Sequence, residues 1–540
     1  MKLPNFKKAA CISGLLALVL TGLIVLSIGL TAVSFKAVSQ QQFSQAARCA
    51  RTAQPGAALL SIITFNQVPD FEAWQTGLKI IIKFNQLRNS FPDQEHLGIY
   101  TSFNQILNNP QALESLKELG RLGQDFSSQL ERSWILNKSL PQSQLTTVRQ
   151  AAQCLDSLPA AIDWLQSDQQ LVFLLQNNHE LRASGGFIGS LAAVDIKRQQ
   201  LQPMRFYDVY DLSGQAANLL PAPYGVRKYL SAGEGMNLQD ANWHPDFPTA
   251  AQDILQLLEQ ADLAPTMLAA VNLELVEKML KITGPIYVPD YQTELTTENF
   301  SQIAHQDRNQ FFSGDKQKKH FLSAAFTSLS ITLEQLSCEQ RLKLAKLTAE
   351  ALTNQQVLLY ADNPRLQTKF EQNNWAGQLK EPAAQNFVYL VESNVGINKA
   401  NQNIDRKIML EPGQARTDVI ITLSNHNPPV DSQTQQQITN NPDWLAADHL
   451  GYVNYQRVIT SPEITASQVS CSGQNTVIED RRQITSSTQH TFNQAGFLMV
   501  VREGEQVTCR LKLIPANNTA FPYQHWELKL QPGVKADHKI

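Results

Sequence analysis

The chain has 540 residues, which is enough for about two to four domains with substantial hydrophobic cores. Its 45 Lys and Arg residues nearly balance its 48 Asp and Glu residues, so the formal net charge is only −3. This balance excludes the basic surplus typical of nucleic-acid-binding proteins, and we expect no nucleic-acid partner. Because only 17% of the residues are charged while Gln and Asn are abundant, amides should form much of the polar surface.

The first element in chain order is a charge-free apolar segment at residues 9–35. About 20 apolar residues suffice to cross a bilayer, so this segment predicts a transmembrane signal anchor. Three lysines lie within residues 1–8, whereas only Lys36 follows the segment closely. The positive-inside rule then makes residues 1–8 a cytoplasmic stub and places the bulk of the chain outside, in a single-pass topology. A cleaved signal peptide is the alternative, although its apolar region would be shorter.

Residues 36–168 predict a helical juxtamembrane domain. Apolar residues recur there at three- and four-residue spacing, in stretches such as "FEAWQTGLKIIIKFNQLRNSF" and "LTTVRQAAQCLDSLPAAIDWL". Prolines separate the stretches, as expected between helices. We expect the apolar stripes to form the core of a helical bundle rather than a coiled coil with a partner.

Residues 169–400 predict an α/β core domain. The apolar stretches "LVFLLQNN", "GFIGSLAAVDIK" and "FVYLVESN" indicate strands, and "FPTAAQDILQLLEQAD" indicates a helix. Because apolar strands alternate with amphipathic helices, we expect a sheet that is covered by helices.

Residues 401–540 predict a β-sandwich. Segments such as "GFLMVVREGEQVTCRLKLI" alternate apolar and polar residues with a period of two, and Gly and Pro mark the turns. Repeated short strands with this alternation are typical of two packed antiparallel sheets.

The cysteines suggest two disulfide bonds. Cys471 and Cys509 both lie in the predicted sandwich and form the first candidate pair, while Cys49 and Cys154 flank the helical region and could join its two ends. Cys338 would then be free. The alternative is that all of these thiols are reduced and buried. Since no Cys-x-x-Cys pair or Cys/His cluster occurs, the sequence does not predict a structural zinc site.

Several motifs in a fixed order resemble one bacterial protein family. They are "NNHELRASGGFIGS", "DANWHPDFPTAAQ", "VNLELVEKMLKITGPIYV", "WAGQL" and "VESNVGINKANQNIDRKI". Over residues 150–420 the chain is similar to the family named domain of unknown function 4012. This resemblance implies an exported protein anchored in the bacterial cell membrane, and it implies no particular activity.

A more remote resemblance concerns the LytR-CpsA-Psr phosphotransferases. An Arg, a small apolar strand, a strand ending in Asp and the segment "GDKQKKHFLSA" follow in the same order. The resemblance implies transfer of a polyprenyl-linked glycopolymer with a divalent cation, for which Mg²⁺ is the candidate. It matches Arg182 to the Arg that opens the first strand and Asp211 to the acid that ends the second. It also places Asp315, Lys316 and Lys319 where that family has a helix start rich in Asp and Arg.

The chain departs from that pattern at two points. Tyr210 precedes Asp211, where the family usually has an Arg, and Lys316 and Lys319 replace later Arg residues. Lysine binds a phosphate group as a point charge and lacks the bidentate fork of arginine. A shared fold with altered or absent chemistry therefore stands beside a retained transferase.

Phosphoryl transfer requires cations around the phosphoryl oxygens and carboxylates that hold a metal. The candidate catalytic residues are Asp208 and Asp211, and the candidate phosphate-binding residues are Arg182, Arg205, Arg308, Lys316 and Lys319. The alternatives are an ordinary ion pair between Arg182 and Glu180 or a nearby acid, and turn or capping roles for the two aspartates. The nearby glycines, Gly185 and Gly186, should shape the backbone rather than cradle a phosphate, because no helix evidently follows them.

Two functions follow from these observations. The first is an envelope protein that transfers or binds a polyprenyl-linked glycopolymer. The second is a non-enzymatic cell-surface scaffold or adhesion module, which the terminal sandwich and the amide-rich surface favour.

Overall fold

The computed structural model describes residues 69–90, 99–133, 142–214, 219–300, 316–429 and 451–540, apart from 232, 234, 383, 384, 518 and 519. The predicted stub and transmembrane anchor lie outside the described residues. Within the described ranges, no helix is both long and apolar enough to span a bilayer.

The N-terminal part is helical, as the sequence predicts. Its helices are α1 Pro69–Asn89, α2 Ile99–Leu107, α3 Pro110–Arg132 and α4 Gln142–Trp164. The Asn109 side chain caps α3 by accepting a hydrogen bond of 3.0 Å from the backbone N–H of Ala112. Helices α3 and α4 approach closely because Gly123 leaves no side chain between their backbones, and a Cβ there would overlap Leu155.

A mixed six-stranded sheet follows. Its strands are β1 Gln169–Asn177, β2 Phe187–Lys197, β3 Gln200–Leu201, β4 Arg205–Asp208, β5 Met267–Asn272 and, later in the chain, β8 Val357–Ala361. The order is β3-β2-β1-β5-β8, with β4 also paired to β2. Strands β1 and β5 are parallel, and the other pairs are antiparallel. Strands β6 Ile286–Val288 and β7 Thr293–Leu295 form a separate antiparallel pair.

Helices follow or separate these strands along the chain. They are α5 Val209–Ser213, α6 Tyr224–Tyr229, α7 Phe247–Glu259, α8 Leu273–Thr283, α9 Lys316–Glu334, α10 Cys338–Thr353 and α11 Pro364–Gln372. Short 3-10 helices occur at Leu238–Trp243, Pro289–Tyr291 and Ala400–Asn403.

Both faces of the central sheet are buried. Leu171 and Phe173 of β1 belong to a core shared with the N-terminal helices, α10 and α11. Val172 and Leu174 belong to the opposite core, which contains α7. This period of two is what a strand buried on both faces requires. The predicted mixed α/β architecture is confirmed, and the N-terminal helices share a core with the sheet.

Two five-stranded sheets form the C-terminal part. Their strands are β9 Asn386–Val391, β10 Ile404–Glu411, β11 Thr417–Asn425, β12 Tyr452–Thr460, β13 Ile464–Cys471, β14 Asp480–Thr485, β15 Thr491–Val501, β16 Gln506–Pro515, β17 Trp526–Leu530 and β18 Asp537–Lys539. The orders are β13-β16-β11-β10-β18 and β14-β15-β12-β9-β17. Side chains from both sheets, including Val388, Ile421 and Phe497, meet in one core.

The predicted boundary between the α/β domain and the sandwich, at residue 400, lies too late in the chain. Strand β9 pairs with β12 and β17 and therefore belongs to the sandwich. All six of its residues are buried, so its sequence lacks the polar alternation of the other sandwich strands. A continuous apolar run is also what a buried α/β strand shows, and this explains the error.

The cysteine predictions have different outcomes. Cys471 and Cys509 lie opposite each other on β13 and β16 and form a disulfide bond. Cys154 is instead a free thiol buried in the helical core, so its predicted bond to Cys49 is wrong. Burial raises the pKa of the Cys154 thiol, which keeps it protonated. Cys49 and the side chain of Cys338 lie outside the described part.

Candidate functional site

Arg182 lies in the loop that follows β1, where β1 ends near the sandwich. Its side chain is only 1% exposed, and each of its three nitrogens donates to a protein group. Nε donates to Oδ1 of Asp240 at 2.7 Å, and Nη2 donates to Oε1 of Glu180 at 3.1 Å. Nη1 donates to the carbonyl oxygens of Leu181 and Asn394, both at 2.9 Å. We call these five residues the Arg182 joint.

The Arg182 joint connects three separate segments of the fold. Asp240 belongs to the 3-10 helix Leu238–Trp243, and Asn394 follows β9 of the sandwich. Near by, Nε2 of Gln531 donates to the Arg182 carbonyl at 3.0 Å and ties in the chain after β17. One buried cation therefore bonds groups of both the α/β part and the sandwich.

Charge balance makes this burial possible. Burial alone would lower the pKa of Arg182, but the carboxylates of Asp240 and Glu180 raise it above its ordinary value. Burial raises the pKa of Glu180, and Asp240 adds to this rise while Arg182 opposes it. A buried charge with full pairing of this kind is strongly destabilised if one partner is removed.

A second buried ion pair lies in the adjoining sandwich. Nε and Nη2 of Arg406 donate to the two carboxylate oxygens of Glu392 at 2.7 and 3.0 Å. The Tyr452 hydroxyl donates to Glu392 at 2.7 Å. The Gln531 side chain accepts from the backbone N–H of Glu392 and so links this pair to the Arg182 joint.

The glycines after Arg182 shape the backbone. Gly185 has a φ of +132°, and a Cβ there would overlap the Asn272 side chain at the end of β5. A Cβ at Gly186 would overlap the backbone of Asn177. Both positions therefore require glycine because the end of β1, the loop and β5 pack without space for a side chain.

The other predicted residues lie apart from this network. Oδ1 of Asp208 accepts from the backbone N–H of Tyr210 at 2.8 Å and caps the short helix α5. Asp211 is exposed in the first turn of that helix. Nη2 of Arg205 pairs with Asp195 at 2.8 Å on the adjoining strands β4 and β2 and is about half exposed.

The remaining predicted cations are not placed. Arg308 lies outside the described residues, and the side chains of Lys316 and Lys319 at the start of α9 do too. Their predicted phosphate-binding roles, and the catalytic roles of Asp208 and Asp211, stay predictions. The structure shows the alternative given for Arg182, an ion pair with Glu180 and a nearby acid, Asp240, and its phosphate-binding role also stays a prediction.

An open cleft lies at the carboxyl ends of β1 and β5. Its volume is about 610 Å³. We call it the polar cleft, and its lining consists of Asn178, His179, Glu274, Glu277, Asn401, Gln402, Ile404, Asp405, Arg406, Lys407, Gly533, Lys535, Ala536 and Asp537. In α/β sheets, ligands bind beyond the carboxyl ends of parallel strands. The polar residues directly after β1 and β5, Asn178 and Glu274, were the available signal.

Ion pairs and burial set the charges in the polar cleft. Nζ of Lys535 and Nζ of Lys278 contact Oε1 of Glu274 at 2.9 and 3.1 Å. Burial alone would raise the pKa of the Glu274 carboxyl group, but the two lysines outweigh this effect and lower that pKa. Burial lowers the pKa of His179 to about 4, so its ring is neutral at pH 7.

The predicted magnesium ion finds no matching donor set. Mg²⁺ prefers several oxygen ligands, chiefly carboxylates and water. Among the residues that the structure describes, no group of three or more His, Cys, Asp or Glu side chains could hold a metal ion. The described residues therefore do not provide the set of ligands that a bound metal ion needs.

Comparison with known proteins places the central part of the chain in a family. Residues 166–308, from just before β1 to beyond α8, match the model of a protein family of unknown function, DUF4012. This match lies within residues 150–420, over which the sequence motifs predict the same family. A search of curated proteins gave no match. The chain therefore carries a domain of the DUF4012 family.

Proposed function

We propose that this protein is a membrane-anchored, extracytoplasmic envelope protein that acts as a non-enzymatic scaffold. The observation that carries the proposal is the Arg182 joint. All three nitrogens of the cation predicted to hold a phosphoryl group have protein partners, and Nη1 bonds the Asn394 carbonyl of the sandwich.

The extracytoplasmic address has two supports. Residues 9–35 contain no charged residue and follow a lysine-bearing N-terminus, as in a signal anchor. The Cys471–Cys509 disulfide bond fits an oxidising compartment such as the bacterial cell exterior.

The geometry favours a scaffold over a phosphotransferase for a further reason. Transfer of a phosphoryl group requires cations and a metal around the phosphoryl oxygens. Asp208 serves as a helix cap, and Arg205 is paired with Asp195. Asp208 and Arg205 therefore have partners within the fold, which supports structural roles for both side chains.

The finer likeness to the LytR-CpsA-Psr fold is part of the proposal. It is supported by the central mixed sheet with cores on both faces and by the order of Arg182, β2 and α5 along the chain. We propose common ancestry of the fold with loss of the transfer chemistry.

The activity test uses the full chain, purified from bacterial membranes in detergent. We expect no polyprenyl phosphate in the co-purified lipids by mass spectrometry, and no Mg²⁺-dependent transfer from a polyprenyl-pyrophosphate-linked glycan. Co-purified polyprenyl phosphate, together with transfer that Asp211→Asn abolishes, would overturn the scaffold proposal. Gln256→Ala, an exposed change on α7, is the matched control.

The location test is separate. A cysteine introduced by Gln256→Cys lies at an exposed position of the helix α7. We expect a membrane-impermeant maleimide to label it in intact spheroplasts. Labelling only after lysis would contradict the extracytoplasmic address.

A further inference from the structure

At and beside the polar cleft lie buried polar atoms that have no hydrogen-bonding partner in the protein. Asn178 lines the cleft, is only 8% exposed, and its Oδ1 accepts no hydrogen bond from the protein. Neither Oδ1 nor Nδ2 of the neighbouring Asn272 has a partner, and that side chain is 2% exposed. Buried polar groups are normally hydrogen-bonded, so three orphan amide atoms in one place need an explanation.

Asn178 and Asn272 both lie close to Gly533, a residue that lines the polar cleft. A Cβ at Gly533, a lining residue, would be 3.4 Å from Nδ2 of Asn272 and 3.5 Å from Cβ of Asn178. Asn272 is also the N-cap residue of α8, yet its side chain makes no capping hydrogen bond. The amide is therefore not used for the local purpose that its position would serve.

The polar cleft does not suit an apolar or highly charged ligand. None of the described residues that line it is Phe, Tyr or Trp, and most are polar. Its four acidic residues face three basic residues, of which Lys535 pairs with Glu274 and Arg406 with Glu392. The lining therefore has a small acidic excess, which does not favour a phosphate group.

Amide and carboxylate groups match the hydroxyl groups of sugars. An amide offers both donors and acceptors, and each hydroxyl group both donates and accepts. The cleft volume of about 610 Å³ lies within the range of small-molecule sites. We propose that the polar cleft binds an uncharged oligosaccharide, with Asn178 and Gln402 among its hydrogen-bonding side chains. This site adds a ligand to the scaffold and does not depend on the scaffold proposal.

The test is ligand-observed saturation-transfer NMR on the full chain, in a detergent without a sugar headgroup. The probes are maltotriose and tri-N-acetylchitotriose, with glucose 6-phosphate and inorganic phosphate as charged comparisons. We expect saturation transfer to at least one trisaccharide, with a Kd of about 1 mM or tighter. The transfer should be lost in Asn178→Leu and weakened at least about fivefold in Gln402→Ala, which removes one amide hydrogen-bonding group.

Two variants keep the test decisive. Gln402 is exposed at the rim, so Gln402→Ala should fold even if Asn178→Leu does not. Gln256→Ala removes an exposed amide far along the chain, on α7, and should bind like the unchanged protein. The proposal is overturned if neither trisaccharide binds, if Gln402→Ala binds as tightly as the unchanged protein, or if only the phosphate compounds bind.

Discussion

The Arg182 joint and the polar cleft lie near the same ends of the parallel strands β1 and β5. They differ in whether their buried polar atoms have hydrogen-bonding partners in the protein. Every nitrogen of the Arg182 guanidinium group has a protein partner. At the cleft, Oδ1 of Asn178 has none, and beside it neither amide atom of Asn272 has one. Saturated polar groups fix a structure, whereas unsatisfied ones are suited to a ligand. The comparison therefore separates a structural region from a binding region.

The largest expected effect comes from breaking the Arg182 joint. Arg182→Met leaves Glu180 and Asp240 buried without their cation, and we expect the free energy of unfolding to fall by about 3–5 kcal/mol. Urea denaturation of the full chain measures this loss.

Arg205→Met is the matched control for that change. Arg205 also forms an ion pair, with Asp195, but its side chain is 48% exposed. A solvated pair of this kind stabilises by at most about 1 kcal/mol. Equal losses of unfolding free energy in Arg182→Met and Arg205→Met would contradict the distinction between the Arg182 joint and an ordinary surface ion pair.

The disulfide bond gives the next largest effect. Replacing Cys471 and Cys509 together by Ser opens a link between residues 38 positions apart. We expect a loss of about 2–4 kcal/mol in the sandwich, because its unfolded state gains freedom. Hydrogen exchange at the Arg182 loop should stay unchanged, since the Arg182 joint lies elsewhere. Faster exchange there would show that the joint depends on the disulfide bond.

The neutral ring of His179 predicts a pH dependence. Burial lowers its pKa from 6.5 in the unfolded chain to about 4 in the folded protein. As the pH drops from 6.5 to about 4, His179 takes up a proton in the unfolded chain but not in the folded protein, so the stability falls. After allowance for partial exposure, we expect this residue to contribute roughly 1–2 kcal/mol of the fall.

His179→Gln should flatten part of that pH profile, measured by denaturation at several pH values. Burial also lowers the pKa of His244, so some acid sensitivity should remain in the variant. An unchanged profile in His179→Gln would mean that the ring is not buried in its neutral form.

The smallest expected effect concerns the buried amide of Asn272, which has no hydrogen-bonding partner. Asn272→Leu replaces two unpartnered polar atoms with apolar ones of similar shape. We expect stability to stay the same or rise by about 1 kcal/mol. A loss of more than about 2 kcal/mol would mean that the amide has structural partners and that the contrast with the Arg182 joint is false.

Local patterns in the sequence predicted the elements well. The strands β1 and β2, the helix α7 and the Cys471–Cys509 pair follow from periodicity and from composition. The predicted family is supported by the match at residues 166–308.

Contacts between distant segments were beyond such reasoning. The partners of Arg182 include Asp240 and Asn394, which are 58 and 212 residues away in the chain. Of its carboxylate partners, only Glu180 lies close enough to Arg182 in the sequence for the sequence alone to name it. Strand β9 was misassigned for a similar reason, since its membership is decided by pairing with β12 and β17 rather than by its own apolar sequence.

The central claim is that Arg182 acts by pairing with protein groups. The most direct measurement is a double-mutant cycle on the full chain with Arg182→Met, Asp240→Asn and both changes together, followed by urea denaturation. We predict a coupling energy of about 1.5–3 kcal/mol between the two side chains. A coupling below about 0.5 kcal/mol, with stability unchanged in Arg182→Met, would contradict the account.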